Sequence, residues 1–274
     1  MQHPWLAGLL ALLLSMAAGL SQAQIGADTA EQLMRKSGLW QQLATLGPQV
    51  RAGLQAVPGL KAEEQQRLGR SVDTAFAPDP VRASALRVLT DGLSPSLVPP
   101  LLAWFDSALG RRITALEEAS AASGADPTEA LREGAALLDR ATPERRQLLG
   151  RIVELTQAPE AAVSMMINTA LAIQQGVASV APAMPGPSRQ ELKAGLEGQR
   201  ASMRRAFEGV MLAAFARAYE TLPDAELAAY AEFIGTPGGR HFNDVATRAV
   251  ERAMVDGAQA LGRSLPGAKA GANT

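Results

Sequence analysis

Cysteine is absent from the 274 residues, histidine occurs twice, and aromatic side chains make up only 4% of the chain. The missing cysteine excludes disulfides, thiolate zinc sites, cysteine nucleophiles and a lipid anchor on cysteine. The shortage of histidine removes most other catalytic and metal constellations, because His3 lies at the extreme N-terminus and leaves His241 alone downstream. Neither sign of charge dominates: 26 basic residues stand against 27 acidic ones, a formal net charge of -1. No global field therefore draws the chain to nucleic acid or to an anionic membrane, and a nucleic-acid role is not expected.

What the chain does have begins with an apolar run, Trp5 to Leu20, 16 residues without a charge. Ser21-Gln22-Ala23 follows, a small-x-small cleavage pattern that makes residues 1–23 read as a signal peptide and Gln24 as the mature N-terminus. The run falls short of the ~20 residues needed to span a hydrocarbon core. Export to the periplasm or beyond is the expectation. About 250 residues remain, enough for one large domain or two small ones with their own cores. No later segment reads as long and apolar enough to be transmembrane.

Alanine and leucine are abundant, β-branched residues sparse, and apolar positions recur every three or four residues, so an all-α helical bundle is expected. Asp126-Pro127-Thr128-Glu129 and Ser188-Arg189-Gln190-Glu191 carry helix-start signals, as do Thr142-Pro143 and Thr236-Pro237. These signals predict helices over 29–37, 39–56, 61–76, 80–91, 95–105 and 108–122, then 127–140, 143–156, 159–180, 189–221, 224–234 and 237–263. The stretch from Ala181 to Pro187 reads as a linker, since its prolines cannot continue a helix. Ala122 to Ala125 reads as the boundary between halves, and 265–274 as a disordered tail.

Two segments match at a constant offset of 129: Leu97 to Leu116, LVPPLLAWFDSALGRRITAL, over Glu226 to Val245, ELAAYAEFIGTPGGRHFNDV. Gly110-Arg111 falls over Gly239-Arg240, Trp104-Phe105 over Phe233-Ile234, Ser107 over Thr236, and Ile113 over Phe242. A fainter match at offset 119 sets Leu39 to Leu54 over Ala158 to Ile173. The expected organisation is thus two tandem, weakly similar helical repeats, 24–124 and 125–264, a period longer than that of solenoids. Trp104, Phe105, Gly110, Phe233, Gly239 and Phe242 form the expected structural signature.

The segment Leu222 to Phe242, LPDAELAAYAEFIGTPGGRHF, resembles the closing motif of the bacterial domain-of-unknown-function family 2059: an aromatic-rich helix end, a [ST]-[Px]-x-G-[RK] turn and another helix. Leu149 to Ala172 is similar to that family's opening half, so the resemblance covers about 142–264. The first copy lacks the Pro and departs at Ala108-Leu109. The resemblance implies an all-helical exported protein and carries no catalytic residues with it.

Arg111 and Arg240 each follow a Gly in the first turn of a helix, where free amides already attract anions, so both are candidate contacts for an anion or a partner. The plainer reading has Gly permitting close helix contact and Arg bridging to a neighbour. His241 with Arg240 and Asp244 could form a general-base site, but no nucleophile or substrate partner is visible beside it. Glu117-Glu118 and Glu63-Glu64 read as surface pairs because neighbours on a helix diverge by about 100°. Arg145-Arg146 and Arg204-Arg205 read as solvated faces. Met165-Met166, Met203 and Met211 could line an adaptable apolar groove or belong to an ordinary core. Trp40, Trp104-Phe105, Tyr230 and Phe233 are expected to organise the packing.

These signs favour a non-enzymatic envelope protein that binds a protein, a peptide or an apolar ligand, with no cofactor or metal expected. The alternative is a hydrolase using carboxylates, alone or with a metal ion, which predicts acidic side chains from separate helices converging in a pocket. A dimerising scaffold is a third possibility.

Overall fold

Several helix starts follow local chemistry in the computed structural model, which describes residues 24–55, 61–124, 126–180 and 186–264. Thirteen α-helices and no strand occur among them: α1 (Ala27–Lys36), α2 (Leu39–Gln55), α3 (Ala62–Ala75), α4 (Pro78–Gly92), α5 (Val98–Phe105), α6 (Ala108–Ala122), α7 (Pro127–Arg140), α8 (Pro143–Thr156), α9 (Ala158–Val180), α10 (Arg189–Gly198), α11 (Arg200–Ala218), α12 (Asp224–Gly235) and α13 (Pro237–Ser264). A 3-10 turn, Pro95–Leu97, leads into α5. The caps are those the sequence offers. Asp126 accepts from the amides of Thr128 and Glu129, Thr142 from that of Arg145, and Ser188 with Glu191 closes a capping box. The signal-peptide reading of 1–23, most of the linker and the tail fall outside the described residues.

One expected helix is two. The pattern over 189–221 predicts a single rod, but the chain turns at Gln199, where φ is -97° and ψ is -5°, between α10 and α11. Gly198 favours the break, having no side chain to restrain the backbone. Arg200 then locks the corner, bonding Glu197 behind it and both Glu160 and Ser164 of α9.

The two halves of the sequence share their cores. The largest cluster joins Leu33, Leu43, Val72, Phe76 and Leu89 from α1 to α4 with Phe242, Val245, Ala249, Ala253 and Leu261 from α13. A second cluster joins Ile113 of α6 with Leu149, Ile152, Tyr219, Leu227 and Ile234. A third packs Val163, Ile167 and Leu171 of α9 against Leu192, Leu196, Met203 and Phe207. The last helix of the chain therefore packs on α4 of the first half, while α7, which follows α6, packs on α11. Ser84, buried on α4, donates to Asp256 on α13 at 2.6 Å, which removes the cost of leaving its hydroxyl unpaired.

Helices α9 and α13 meet backbone to backbone. A Cβ at Gly176 would overlap the carbonyl oxygen of Gln259, and one at Gly262 would overlap that of Ile173. Only glycine at both positions permits this approach. Helix α9 also corrects one expectation from the sequence: its segment Ala158–Ser179 is long enough to cross a membrane and has a mean hydropathy of 1.2. Here that segment supplies one wall of the bundle.

Candidate functional site: a cavity between the two halves

Two helix entries with the same local geometry frame the site. Ser107 caps α6 by accepting from the Gly110 amide at 2.9 Å, and Thr236 caps α13 by accepting from the Gly239 amide at 2.9 Å. In each turn the small residue lies under the end of the preceding helix: a Cβ at Gly110 would strike the Trp104 carbonyl, and one at Gly239 the Phe233 carbonyl. The preceding aromatic residues then stack on each other. Trp104 and Phe233 lie 4.2 Å apart between centroids and within 5° of parallel. Tyr230 lies 6.3 Å from Trp104, and Phe105 meets Phe242 edge-on at 5.1 Å. Offset-stacked and edge-on pairs of this kind add about 0.5–1.5 kcal/mol each beyond their burial.

Reciprocal contacts run across the same interface. Arg112 of α6 bonds Glu226 at 2.6 Å and the Thr221 carbonyl at 2.9 Å, at the entry to α12. His241, the aligned position of α13, accepts from the Ser94 amide at 3.3 Å, at the entry to α5. The junctions before α2 and α9 also agree, with Gly38 at φ 77° and Gln157 at φ 51°.

Between these elements lies a cavity of about 470 Å³. Trp104, Phe105 and Ile113 line it from one half; Met165, Met211, Phe215, Tyr219, Tyr230, Phe233 and Phe242 line it from the other. A second, wider hollow of about 970 Å³ adjoins it between α2, α6 and α11, sharing Ser37, Gln42, Glu117, Met211, Phe215 and Tyr219. No lysine, arginine or histidine lines either space among the described residues.

Glu117 is the acidic residue that lines both spaces. Its Oε1 accepts from the Tyr219 hydroxyl at 2.6 Å and from the Tyr230 hydroxyl at 2.8 Å. Among the described residues its other oxygen has no hydrogen-bond partner. Burial pushes the carboxyl above its ordinary range; the two tyrosine hydrogen bonds pull the other way with less effect, and neighbouring Glu118 pushes it up. Burial and the charge of Glu117 raise both tyrosines well above theirs, so they remain donors.

Tyr219 owes its position to a braced turn. It lies just past the end of α11, fully buried at 1% exposure. Arg145 donates to the carbonyls of Tyr219 at 2.6 Å and Leu222 at 3.0 Å and pairs with Asp224 at 2.5 Å. Arg145 is thus an internal brace, which corrects its reading as a solvated face. Arg146, its neighbour, bonds the carbonyls of Leu138 and Ala141 at the end of α7.

The sequence reading of Glu117 as a surface residue is wrong. It shares a helix face with Ile113 and Thr114, both buried, at spacings of four and three. That spacing was the available signal; adjacency to Glu118 obscured it. Tyr219 carried no signal beyond being one of two tyrosines. Of the methionines, Met165 and Met211 line the cavity, Met203 packs under α10, and Met166 is 39% exposed. Trp40 stands apart, half-buried between the guanidinium groups of Arg35 and Arg82 at 3.8 and 4.3 Å.

Arg111 and Arg240 are both exposed and line neither space. The Arg111 guanidinium turns back to the Asp106 carbonyl, capping the end of α5, while Lys36 pairs with the Asp106 carboxylate. No ion pair joins Arg240 to Asp244 among the described residues. The signature residues do meet: Trp104, Phe105, Gly110, Phe233, Gly239 and Phe242 all border the cavity.

Fold and site together define an all-α bundle with an aromatic-lined cavity between α5, α6, α12 and α13. No family model, no curated protein and no solved structure matches this chain.

Proposed function

We propose that the chain is an exported, non-enzymatic binding protein of the bacterial envelope, in which a duplicated helical unit encloses an apolar ligand. The observation that carries this reading is the cavity, lined by seven of the eleven aromatic side chains and by Met165 and Met211. Concave, largely apolar spaces with few polar groups are the usual form of small-molecule sites. The duplication draws support from the matching caps at Ser107 and Thr236, the facing stack of Trp104 on Phe233, and the reciprocal reach of Arg112 and His241. Resemblance to the domain-of-unknown-function family 2059 rests on the motif around Gly239-Arg240, and export rests on residues 1–23.

A carboxylate hydrolase has less in its favour. The acidic groups at the cavity, Glu117 and Glu118, are adjacent on one helix, and no carboxylate from a facing helix lines either space among the described residues. Nor does any group of three potential metal ligands occur among them.

The test is fluorescence titration of the mature chain with the neutral apolar dye N-phenyl-1-naphthylamine. Saturable enhancement is expected, lost when Ala246→Trp fills the cavity from α13. Absence of enhancement in the parent chain, or equal enhancement in the variant, overturns the reading. Fractionation of expressing cells tests export, and N-terminal sequencing of the periplasmic protein should begin at Gln24.

A further inference from the structure

Glu117 gives the cavity a polarity that an apolar ligand alone does not explain. A half-buried carboxyl ionises reluctantly unless something of opposite charge meets it. Two tyrosine hydroxyls satisfy one oxygen, and the residue lines two accessible spaces with no cationic side chain on their walls. The rings around that space supply π faces, and cations are drawn to such faces within about 6 Å of the ring centre. Trp104, Phe215, Tyr219, Tyr230 and Phe233 all contribute walls. A neutral donor can hydrogen-bond the second oxygen but brings no charge, and an anion meets repulsion from the ionised form; an ammonium group supplies both a donor and the opposite charge.

We infer that the ligand is an amphiphilic cation, an amine or ammonium group on an apolar body, whose charged head sits against the open oxygen of Glu117 with its body among the aromatic rings. This rests on the reading of the cavity as a ligand site and adds the chemical class. It explains why the carboxylate is held by tyrosines: a lysine or arginine partner would already occupy the charge that the ligand brings. The corresponding place in the other half, at an offset of 129, is Ala246, so the carboxyl group belongs to one side only.

Binding should expel a proton. With the cavity empty, burial favours the neutral acid, and Glu118 on the same helix adds to that preference. Tyr219 and Tyr230, the other titratable groups facing Glu117, stay protonated throughout. An arriving ammonium group stabilises the ionised carboxylate, so the proton passes from Glu117 to solvent as the ion pair forms. Affinity then rises with pH, by up to about tenfold per unit below the titration of Glu117, and levels off above it.

Isothermal titration calorimetry of the mature chain with three probes of similar size separates the possibilities: 2-phenylethylamine, a cation; 2-phenylethanol, neutral; and 3-phenylpropanoate, an anion. The amine should bind about tenfold to a hundredfold tighter than the alcohol, the range expected of a hydrogen bond to a charged group, and the anion should not bind measurably. Glu117→Gln keeps an acceptor for both tyrosines and should bring the affinity of the amine down to that of the alcohol. Retained melting behaviour of that variant shows that it folds. Equal binding of amine and alcohol, or an amine preference that survives Glu117→Gln, overturns the inference but leaves the apolar cavity reading intact. Failure of all three probes to bind overturns both.

Discussion

At the scale of single residues, Glu117 couples the empty protein to pH. Its folded carboxyl lies above the ordinary range because burial disfavours the charge, so its contribution to stability is fully present below that range. That contribution is lost as pH rises from the ordinary range through the folded value. Glu117→Gln should abolish this decline, and urea midpoints measured across acidic to neutral pH should fall in the parent chain and stay flatter in the variant. Gly110 and Gly239 matter by their lack of a side chain. Replacing either by Ala should cost about 1–3 kcal/mol or more, since the obstacle is a backbone carbonyl that cannot swing away. Phe233→Ala removes the partner of Trp104 and, at a partly buried position, should cost up to about 3 kcal/mol, read from the same denaturation curves. Arg240→Ala, at an exposed position, should stay within about 0.5 kcal/mol.

At the scale of elements, helix boundaries were readable because their causes are local. Thr142-Pro143 or Asp126-Pro127 brings its own hydroxyl or carboxylate to the amides it caps, whatever packs above it. The corner at Gln199 was not readable, since the lock on it comes from Glu160 and Ser164, about forty residues away. The left-handed junctions before α2 and α9 give a paired test. Gln157 accepts a conformation that costs an L residue about 1–2 kcal/mol, while Gly38 accepts it without that cost. Gln157→Gly should therefore be neutral or stabilising. Gly38→Gln should destabilise by about 1 kcal/mol or more, because its Cβ would also press on Thr114 and Glu118 at 3.1 and 3.3 Å. Thermal melts of the two variants decide the pair.

At the scale of the whole molecule, the all-α architecture was legible from composition and periodicity, and the signature residues were found by internal alignment. Their convergence on a cavity was not, because its walls come from positions as distant as Ser37 and Val250. The burial of Glu117 likewise depends on hydroxyls 102 and 113 residues further along. Shared cores make the halves interdependent. The chain should unfold in a single transition by circular dichroism and by Trp fluorescence, and residues 24–124 expressed alone should not fold, since Leu89 and Phe105 would lose α13. The contact of Gly176 with Gly262 fixes which wall can yield. Where two helices touch through their backbones there is no side chain to repack, so α9 and α13 must move as one rod. Any widening of the cavity falls to α6 and α11. In hydrogen–deuterium exchange the amides around Ile173 and Gln259 should be the last to exchange, and those of α6 the first to respond when the cavity is filled.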